Sequence, residues 1–69
     1  MSNSISTGRV KFFLENKGYG FVTDNISRTD HFFHFTGIAD KEGIQKDDAV
    51  QYELENTDKG LKAVNIKKV

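Results

Sequence analysis

Hydrophobic and polar residues alternate along most of this chain with the period of two that is typical of β-strands. The alternation predicts five short strands, separated by turns rich in glycine, asparagine, aspartate and lysine. The predicted strands cover residues 9–14, 18–23, 31–35, 49–55 and 62–67. No segment has a convincing helical period, apart from a candidate single turn near residues 36–39. The sequence therefore predicts an all-β protein.

Five antiparallel strands laid flat would leave exposed edges, which invite aggregation, so closure into a small barrel is the favoured arrangement. With 69 residues the chain has room for one small domain. We place this five-stranded antiparallel barrel at residues 8–69. The small polar residues 1–7 are interpreted as a flexible tail whose last residue or two can join the first strand.

The first three strands carry more aromatic side chains than one small core can hold. Seven of the eight phenylalanine and tyrosine residues lie between Phe12 and Phe35. Alternation directs Val22 and Phe33 to one face of the second and third strands, and four other rings to the opposite face: Tyr19, Phe21, Phe32 and His34. Because no helix is predicted to cover that second face, we expect it to stay exposed. An exposed aromatic patch of this kind marks a binding surface.

The remaining aromatic and apolar residues are assigned by the same alternation. We expect Phe12 to join the exposed patch, while Phe13, Phe33 and Phe35 are available to fill the core. The last two strands have one apolar face each, which predicts five inward side chains: Val50, Tyr52, Leu54, Val64 and Ile66.

Charge is balanced, with ten basic and ten acidic residues, so the field of the whole molecule cannot attract a polyanion. The distribution is uneven. The first quarter carries Arg9, Lys11 and Lys17 against Glu15 alone, whereas residues 40–55 carry six acids against two lysines. The N-terminal third is therefore the predicted anion-facing side.

Rings interleaved with cations and glycines suit a single-stranded nucleic acid, because each unpaired base offers a π-face worth about 1 to 3 kcal/mol when stacked. A duplex hides those faces. Taken singly, Lys11 and Lys17 are ordinary solvated residues, but beside the rings they become binding candidates. A module that docks a protein partner is the alternative, although such a partner gives no reason for cations around the bare backbone of Gly18 and Gly20.

Other functions find less support in the sequence. Catalysis needs a nucleophile with its base, or carboxylates clustered in a pocket, and neither pattern occurs. A metal site at His31 and His34 is disfavoured, since residues three apart in a strand face opposite sides. We expect no cofactor and no small-molecule substrate. No stretch approaches 18 apolar residues and the first seven residues lack a signal-peptide pattern, so we expect a cytoplasmic protein without a membrane anchor. We also expect a monomer.

Two segments, Lys17–Val22 (KGYGFV) and Phe32–Phe35 (FFHF), resemble the two ribonucleoprotein motifs of the bacterial cold-shock proteins. The resemblance extends over residues 8–68. It implies an OB-fold barrel that binds single-stranded RNA and DNA with little sequence preference, acts as an ATP-independent RNA chaperone and takes part in gene regulation. Matching the motifs position by position implies these ligand contacts: Lys11, Phe12, Tyr19, Phe21, Phe32, His34 and Phe35, with Lys17, Asp30 and Lys59 at the periphery. Phe35 thereby moves from core to rim.

The chain departs from this family pattern at several positions. Phe12 stands where tryptophan is usual, Leu14 where asparagine is frequent, and Leu61 where proline is common. The connection over residues 37–48 is shorter than usual and lacks an aromatic residue, Ile44 being the nearest counterpart. We expect weaker stacking at Phe12, one base subsite fewer and an affinity at the lower end for this fold.

Overall fold

Five β-strands and one short 3₁₀ turn organise the chain. A computed structural model describes residues 5–40 and 43–69. The strands are β1 (Ser6–Leu14), β2 (Tyr19–Asp24), β3 (Asp30–His34), β4 (Ala49–Thr57) and β5 (Gly60–Lys68), and the 3₁₀ turn spans Phe35–Gly37 between β3 and β4. The first strand begins at Ser6, so the last two residues of the predicted tail belong to β1. Residues 1–4 of that tail lie outside the described residues.

The strands close into a barrel in the order β1-β2-β3-β5-β4, which confirms the predicted five-stranded barrel. Four neighbouring pairs are antiparallel. The exception is β3 with β5, a parallel pair in which Phe32 lies opposite Lys62 and Phe33 opposite Ala63. The antiparallel prediction is corrected at this one pair. A closed ring with an odd number of strands cannot alternate direction at every step, so one parallel pair is geometrically required.

The core is a single cluster of buried side chains from every strand and from the connection before β4. Its members are Val10, Val22, Phe33, Ile44, Val50, Tyr52, Ala63 and Ile66. The half-buried Phe13 packs against this cluster, with its ring centroid 5.5 Å from that of Phe33. The predicted split of β2 and β3 into an inner face with Val22 and Phe33 and an outer face is therefore confirmed.

Two of the predicted inward residues, Leu54 and Val64, do not belong to the core. Asn65 adopts a left-handed backbone conformation, with φ 54°, and in the ladder Tyr52 faces two residues of β5. This irregularity breaks the period of two, so Ala63 and Ile66 both point inward although they are three residues apart, and Val64 is only half-buried. Leu54 is 37% exposed because it lies beyond the part of β4 that pairs with β1, where the β4–β5 hairpin extends past the core.

A buried hydrogen bond joins the end of β2 to the centre of β4. Asp24 lies in the connection between the second and third predicted strands, but the structure buries it at 8% exposure. The Tyr52 hydroxyl donates to Asp24 Oδ2 at 2.6 Å, and Oδ1 accepts from the backbone N–H groups of Ile26 and Ser27. The Tyr52 hydrogen bond and these two N–H groups hold the pKa of Asp24 at about 2. Burial and the same carboxylate raise the pKa of Tyr52.

Acid should weaken the hydrogen bond between Tyr52 and Asp24. The folded-state pKa of Asp24 is lower than its ordinary value of 3.8. Its carboxylate therefore stabilises the fold above about pH 4, and that contribution is lost as pH falls towards about 2. We expect Tyr52→Phe to lower the free energy of unfolding at pH 7 by about 1.5 to 3 kcal/mol, and this loss to shrink between about pH 4 and pH 2. Urea unfolding across this range measures both quantities. Tyr19→Phe, which removes a hydroxyl from the outer face, is the control. A penalty at Tyr52 that does not change with pH would contradict the assignment.

Candidate functional site

A β-bulge in β1 decides which side chains of that strand face outward. Val10 lies opposite Val22 and Phe12 opposite Phe21, so Lys11 is one extra residue relative to β2. The bulge shifts the alternation by one position. As a result Lys11 and Phe12 both point to the outer face, while Val10 before them is buried and Phe13 after them packs on the core.

Four rings from β1, β2 and β3 lie side by side on the outer face of the barrel. We call this set, made of Phe12, Tyr19, Phe21 and Phe32, the aromatic platform. Ring centroids are 5.4 Å apart for Phe12 and Phe21, 5.9 Å for Phe21 and Phe32, and 5.8 Å for Tyr19 and Phe32. Phe32 is 38% exposed and the other three rings are half-buried. The rings therefore support one another laterally and present a solvent-facing aromatic surface.

A second aromatic pair, His34 and Phe35, lies at the end of β3. The two ring centroids are 4.7 Å apart, and the Phe35 side chain is 54% exposed. The Phe35 N–H donates to the carbonyl oxygen of Gly18 at 2.8 Å, and the Phe35 ring covers the bare backbone of that glycine. His34 Nδ1 lies 3.0 Å from Thr36 Oγ1, which fixes the imidazole beside the 3₁₀ turn. Both residues were predicted as ligand contacts, and the structure places them on the surface.

An ion pair lies at the edge of the aromatic platform. Lys11 Nζ is 2.7 Å from Asp30 Oδ2, and the Thr23 hydroxyl donates to Asp30 Oδ1 at 2.7 Å. The ammonium and then the hydroxyl lower the pKa of the Asp30 carboxyl below its ordinary value. The sequence predicted Lys11 and Asp30 as separate contacts, whereas the structure pairs them. Thr23 was missed because only the register of β2 against β3, in which it lies opposite Asp30, reveals its role.

A cleft of about 530 Å³ adjoins Phe32 on the other side of the platform. It is lined by Phe32, Thr57, Asp58, Lys59, Leu61 and Lys62. The predicted peripheral residue Lys59 therefore lies near the platform. Leu61 was not predicted as a site residue, since its position beside Phe32 results from the parallel pairing of β3 with β5.

Three further residues complete the comparison with the sequence predictions. Lys17 is exposed in the turn between β1 and β2. Ile44 is only 2% exposed and belongs to the core, so it does not offer a surface in place of an aromatic residue. His31 lies with its ring centroid 6.0 Å from that of Tyr52, away from His34.

In the described part of the chain, no three histidine, cysteine or acidic residues are grouped so as to hold a metal ion. No helix among residues 5–40 and 43–69 is long and apolar enough to span a membrane.

The closed five-stranded barrel with an outer row of rings places this protein in the OB-fold class. The family model of the 'Cold-shock' DNA-binding domain matches residues 6–69, so the chain belongs to the cold-shock domain family. It is 41% identical over 68 residues to the cold shock-like protein CspG of Shewanella violacea, a match that covers 96% of each chain. The major cold shock protein of Micrococcus luteus is 36% identical over 67 residues, covering 94% of this chain and all of the relative.

A solved structure described as drosophila Unr CSD456 superposes with a TM-score of 0.83 and 26% sequence identity. The match covers 99% of this chain and 28% of that longer chain. These findings confirm the predicted family and barrel, and they identify the protein as one from a family of nucleic-acid-binding domains.

The division between platform and core predicts that alanine substitution at two neighbouring phenylalanines affects different properties, stability at one and binding at the other. Phe33→Ala removes a fully buried ring and should cost about 3 to 5 kcal/mol of unfolding free energy. Phe32→Ala should cost less stability but lose about 1 to 3 kcal/mol of affinity for a single-stranded oligonucleotide. Denaturant titration and fluorescence binding measure the two quantities. A larger stability loss at Phe32 than at Phe33 would mean that the faces are inverted.

Gly18 should position the Phe35 ring, and the chain provides a matched control at Gly43. Both glycines have φ +79°, so alanine meets the same backbone strain at each. A Cβ at Gly18 would lie 2.9 Å from Phe35 Cδ1, whereas nothing lies within 4 Å of one at Gly43. Because Phe35 is exposed, its ring can rotate away. We therefore expect the two variants to lose similar stability, while only Gly18→Ala loses affinity for a single-stranded oligonucleotide.

A double variant separates this positioning effect from general damage. In a Phe35→Ala background, Gly18→Ala should cause no further loss of affinity, because the ring that it displaces is gone. An equal loss in both backgrounds, or an equal loss of affinity in Gly43→Ala, would show that Gly18 does not act through Phe35.

Proposed function

We propose that this protein binds unpaired segments of RNA and DNA by stacking bases on the aromatic platform and on the His34–Phe35 pair, with little sequence preference. The observation that carries the proposal is the row of four rings in mutual contact on the outer face, with solvent above it. Every base has a π-face, so a stacking surface accepts any sequence. The membership in the cold-shock domain family supports the proposal, since the family is named for nucleic-acid binding.

The geometry of the surface favours single strands over duplexes. In a duplex the bases stack on one another and offer only their edges and the phosphates. The rings of the platform are flat apolar surfaces, and they gain nothing from phosphates. A single strand can turn its bases towards the barrel, so it alone uses the platform.

The length of the bound segment follows from the extent of the ring surface. We expect roughly 4 to 10 nucleotides per protein, within the range of OB-folds, and a mild preference for pyrimidines. Ile44, in the connection before β4, is buried in the core, so its side chain is not part of the proposed binding surface. This supports a footprint with one base subsite fewer and a modest affinity.

Charge contributes little to the proposed binding. The protein has no formal net charge, and Lys11, which directly precedes Phe12 of the platform, is paired with Asp30. Each phosphate neutralised on a single strand contributes about −0.7 to the slope of log K against log salt. With a few lysines in reach, the slope should be about −1.5 to −3.

We further propose that the protein acts as an RNA chaperone that needs no ATP. A ligand that binds only the open form of a weak RNA hairpin shifts the pairing equilibrium by mass action. Such a protein works in molar excess over RNA and hydrolyses nothing, which agrees with a family that is defined by binding. Its monomeric state and its place in the cytoplasm stay predictions.

Binding of matched oligonucleotides tests the proposal directly. A labelled single strand should bind with clearly higher affinity than the same strand annealed to its complement, because pairing removes the free faces of the bases. Fluorescence anisotropy or filter binding measures both. In a second arm, a weak RNA hairpin with a fluorophore and a quencher at its ends should open when the protein is added in molar excess without ATP.

Two results would contradict the proposed function. Equal or tighter binding of the duplex would show that the rings do not carry the affinity. Hairpin opening by substoichiometric protein, or only with a nucleotide present, would mean that the activity is not one of mass action.

A further inference from the structure

Hydrogen bonds hold the β2–β3 loop, residues 25–29, in one conformation. Oδ1 of Asp24 accepts from the backbone N–H groups of Ile26 and Ser27 at 2.8 and 3.0 Å. The carbonyl oxygen of Asp24 accepts from the Arg28 N–H at 3.0 Å. The Asp24 carboxylate is itself buried and hydrogen-bonded to β4. The backbone of the loop is therefore tied to the interior of the barrel, although all of its residues are exposed.

Two side chains of this loop have no role in the fold. Ile26 is 90% exposed, more than any other large hydrophobic residue in the described part of the chain. Arg28 has a left-handed backbone conformation, with φ 60°, which glycine would adopt without the steric cost that a side chain adds. Among the described residues, its guanidinium makes no hydrogen bond or ion pair. The loop thus presents an apolar side chain and a cation to solvent on a fixed backbone.

The loop lies at the edge of the aromatic platform. The two strands that it joins carry the platform rings Phe21 and Phe32. Arg28 is four residues before Phe32, so their Cα atoms are at most about 14 Å apart. The Asn25 N–H donates to the carbonyl oxygen of Thr7 at 2.9 Å, which fixes the loop against β1 as well. A strand that stacks on the platform and continues along β2 and β3 therefore reaches this loop.

We propose that the β2–β3 loop extends the nucleic-acid-binding surface beyond the platform, with Ile26 packing against a base and Arg28 binding a phosphate. The inference rests on the proposed function and concerns residues that the sequence did not single out. A base that covers Ile26 removes apolar surface from water, which is favourable. The guanidinium forms charge-assisted hydrogen bonds to phosphate oxygens. Because the loop backbone is already fixed, ordering it on binding costs little entropy.

The chemistry of the loop favours a nucleic-acid strand as its occupant. Arg28 is the only charged residue of the loop, so no carboxylate within the loop opposes a phosphate there. A strand offers a phosphate and an apolar base face in every nucleotide, which are the two groups that a neighbouring cation and isoleucine can bind. A short strand fills the platform alone, whereas a longer one also contacts the loop. The loop therefore makes the affinity depend on the length of the unpaired segment.

Two exposed residues on the loop and two matched controls on β5 test the proposal. Ile26→Ser removes the apolar contact, and Val69→Ser removes a second exposed apolar side chain. Arg28→Asn and Lys67→Gln each remove one positive charge. Both controls are separated from the loop by β1 and β4. The readout is the affinity for labelled oligothymidylates of about six and about nine nucleotides over a series of salt concentrations. Denaturant unfolding shows that each variant is folded.

The substitutions on the loop should weaken binding of the longer strand only. We expect Ile26→Ser to bind the nine-nucleotide strand about three- to ten-fold more weakly, because a base covers part of that side chain. Arg28→Asn should make the slope of log K against log salt shallower by about 0.7 for that strand, and Arg28→Lys should restore it. Stability should not fall, since both side chains are exposed and asparagine tolerates the left-handed conformation. Val69→Ser and Lys67→Gln should leave the affinity for both strands unchanged.

Three outcomes would overturn the inference. An equal loss of affinity for the short and the long strand would mean that the loop acts through the platform. Unchanged affinity for both strands in Ile26→Ser and Arg28→Asn would exclude the loop from the nucleic-acid surface. A change of slope in Lys67→Gln equal to that in Arg28→Asn would mean that net charge alone is responsible. Failure of the parent protein to bind either strand would instead reject the proposed function, so the two failures are distinguishable.

Discussion

The limited interior of the closed barrel is the constraint on which the rest of this structure depends. Five short strands enclose a space that, among the described residues, eight buried hydrophobic side chains fill, with Phe33 and Tyr52 as the only aromatic rings in that set. A close-packed interior of this size cannot accept the other rings of the first three strands. Four of those rings lie on the outer face and form the platform. The proposed binding surface is thus a consequence of how little the core can hold.

Two local irregularities in the ladder adjust which residues the barrel presents. The bulge at Lys11 turns two consecutive residues of β1 outward, so that Lys11 lies on the same face as the Phe12 ring of the platform. The left-handed Asn65 in β5 turns Ala63 and Ile66 inward, and both fill the core beneath the parallel pairing with β3. Each irregularity costs one regular ladder position. The first places Lys11 and Phe12 on the outer face, and the second places Ala63 and Ile66 in the core.

The polar groups of the barrel fall into a buried and an exposed set with different roles. Asp24 and Tyr52 form a buried hydrogen bond that connects the β2–β3 loop to β4. In these surroundings of low dielectric constant, a hydrogen bond to a charged acceptor is stronger than it would be in water. Asp30 and Lys11 form an ion pair on the surface, where solvent screens the attraction between the two charges. The exposed pair therefore remains accessible to solvent, while the buried hydrogen bond holds the loop that precedes β3.

The sequence by itself determined the class of fold, the five strands, the division of β2 and β3 into core and outer faces, and the row of rings, because a period of two is a local property of the backbone. The tertiary structure alone decided where that period fails. Lys11 and Phe12 share a face, Val64 is only half-buried, and Asp24 is buried. The pairing of Lys11 with Asp30 also needed the register of β1, β2 and β3, and the cleft beside Lys59 and Lys62 needed the parallel pairing of β3 with β5. Contacts of this kind depend on register and closure, and no local pattern of residues encodes them.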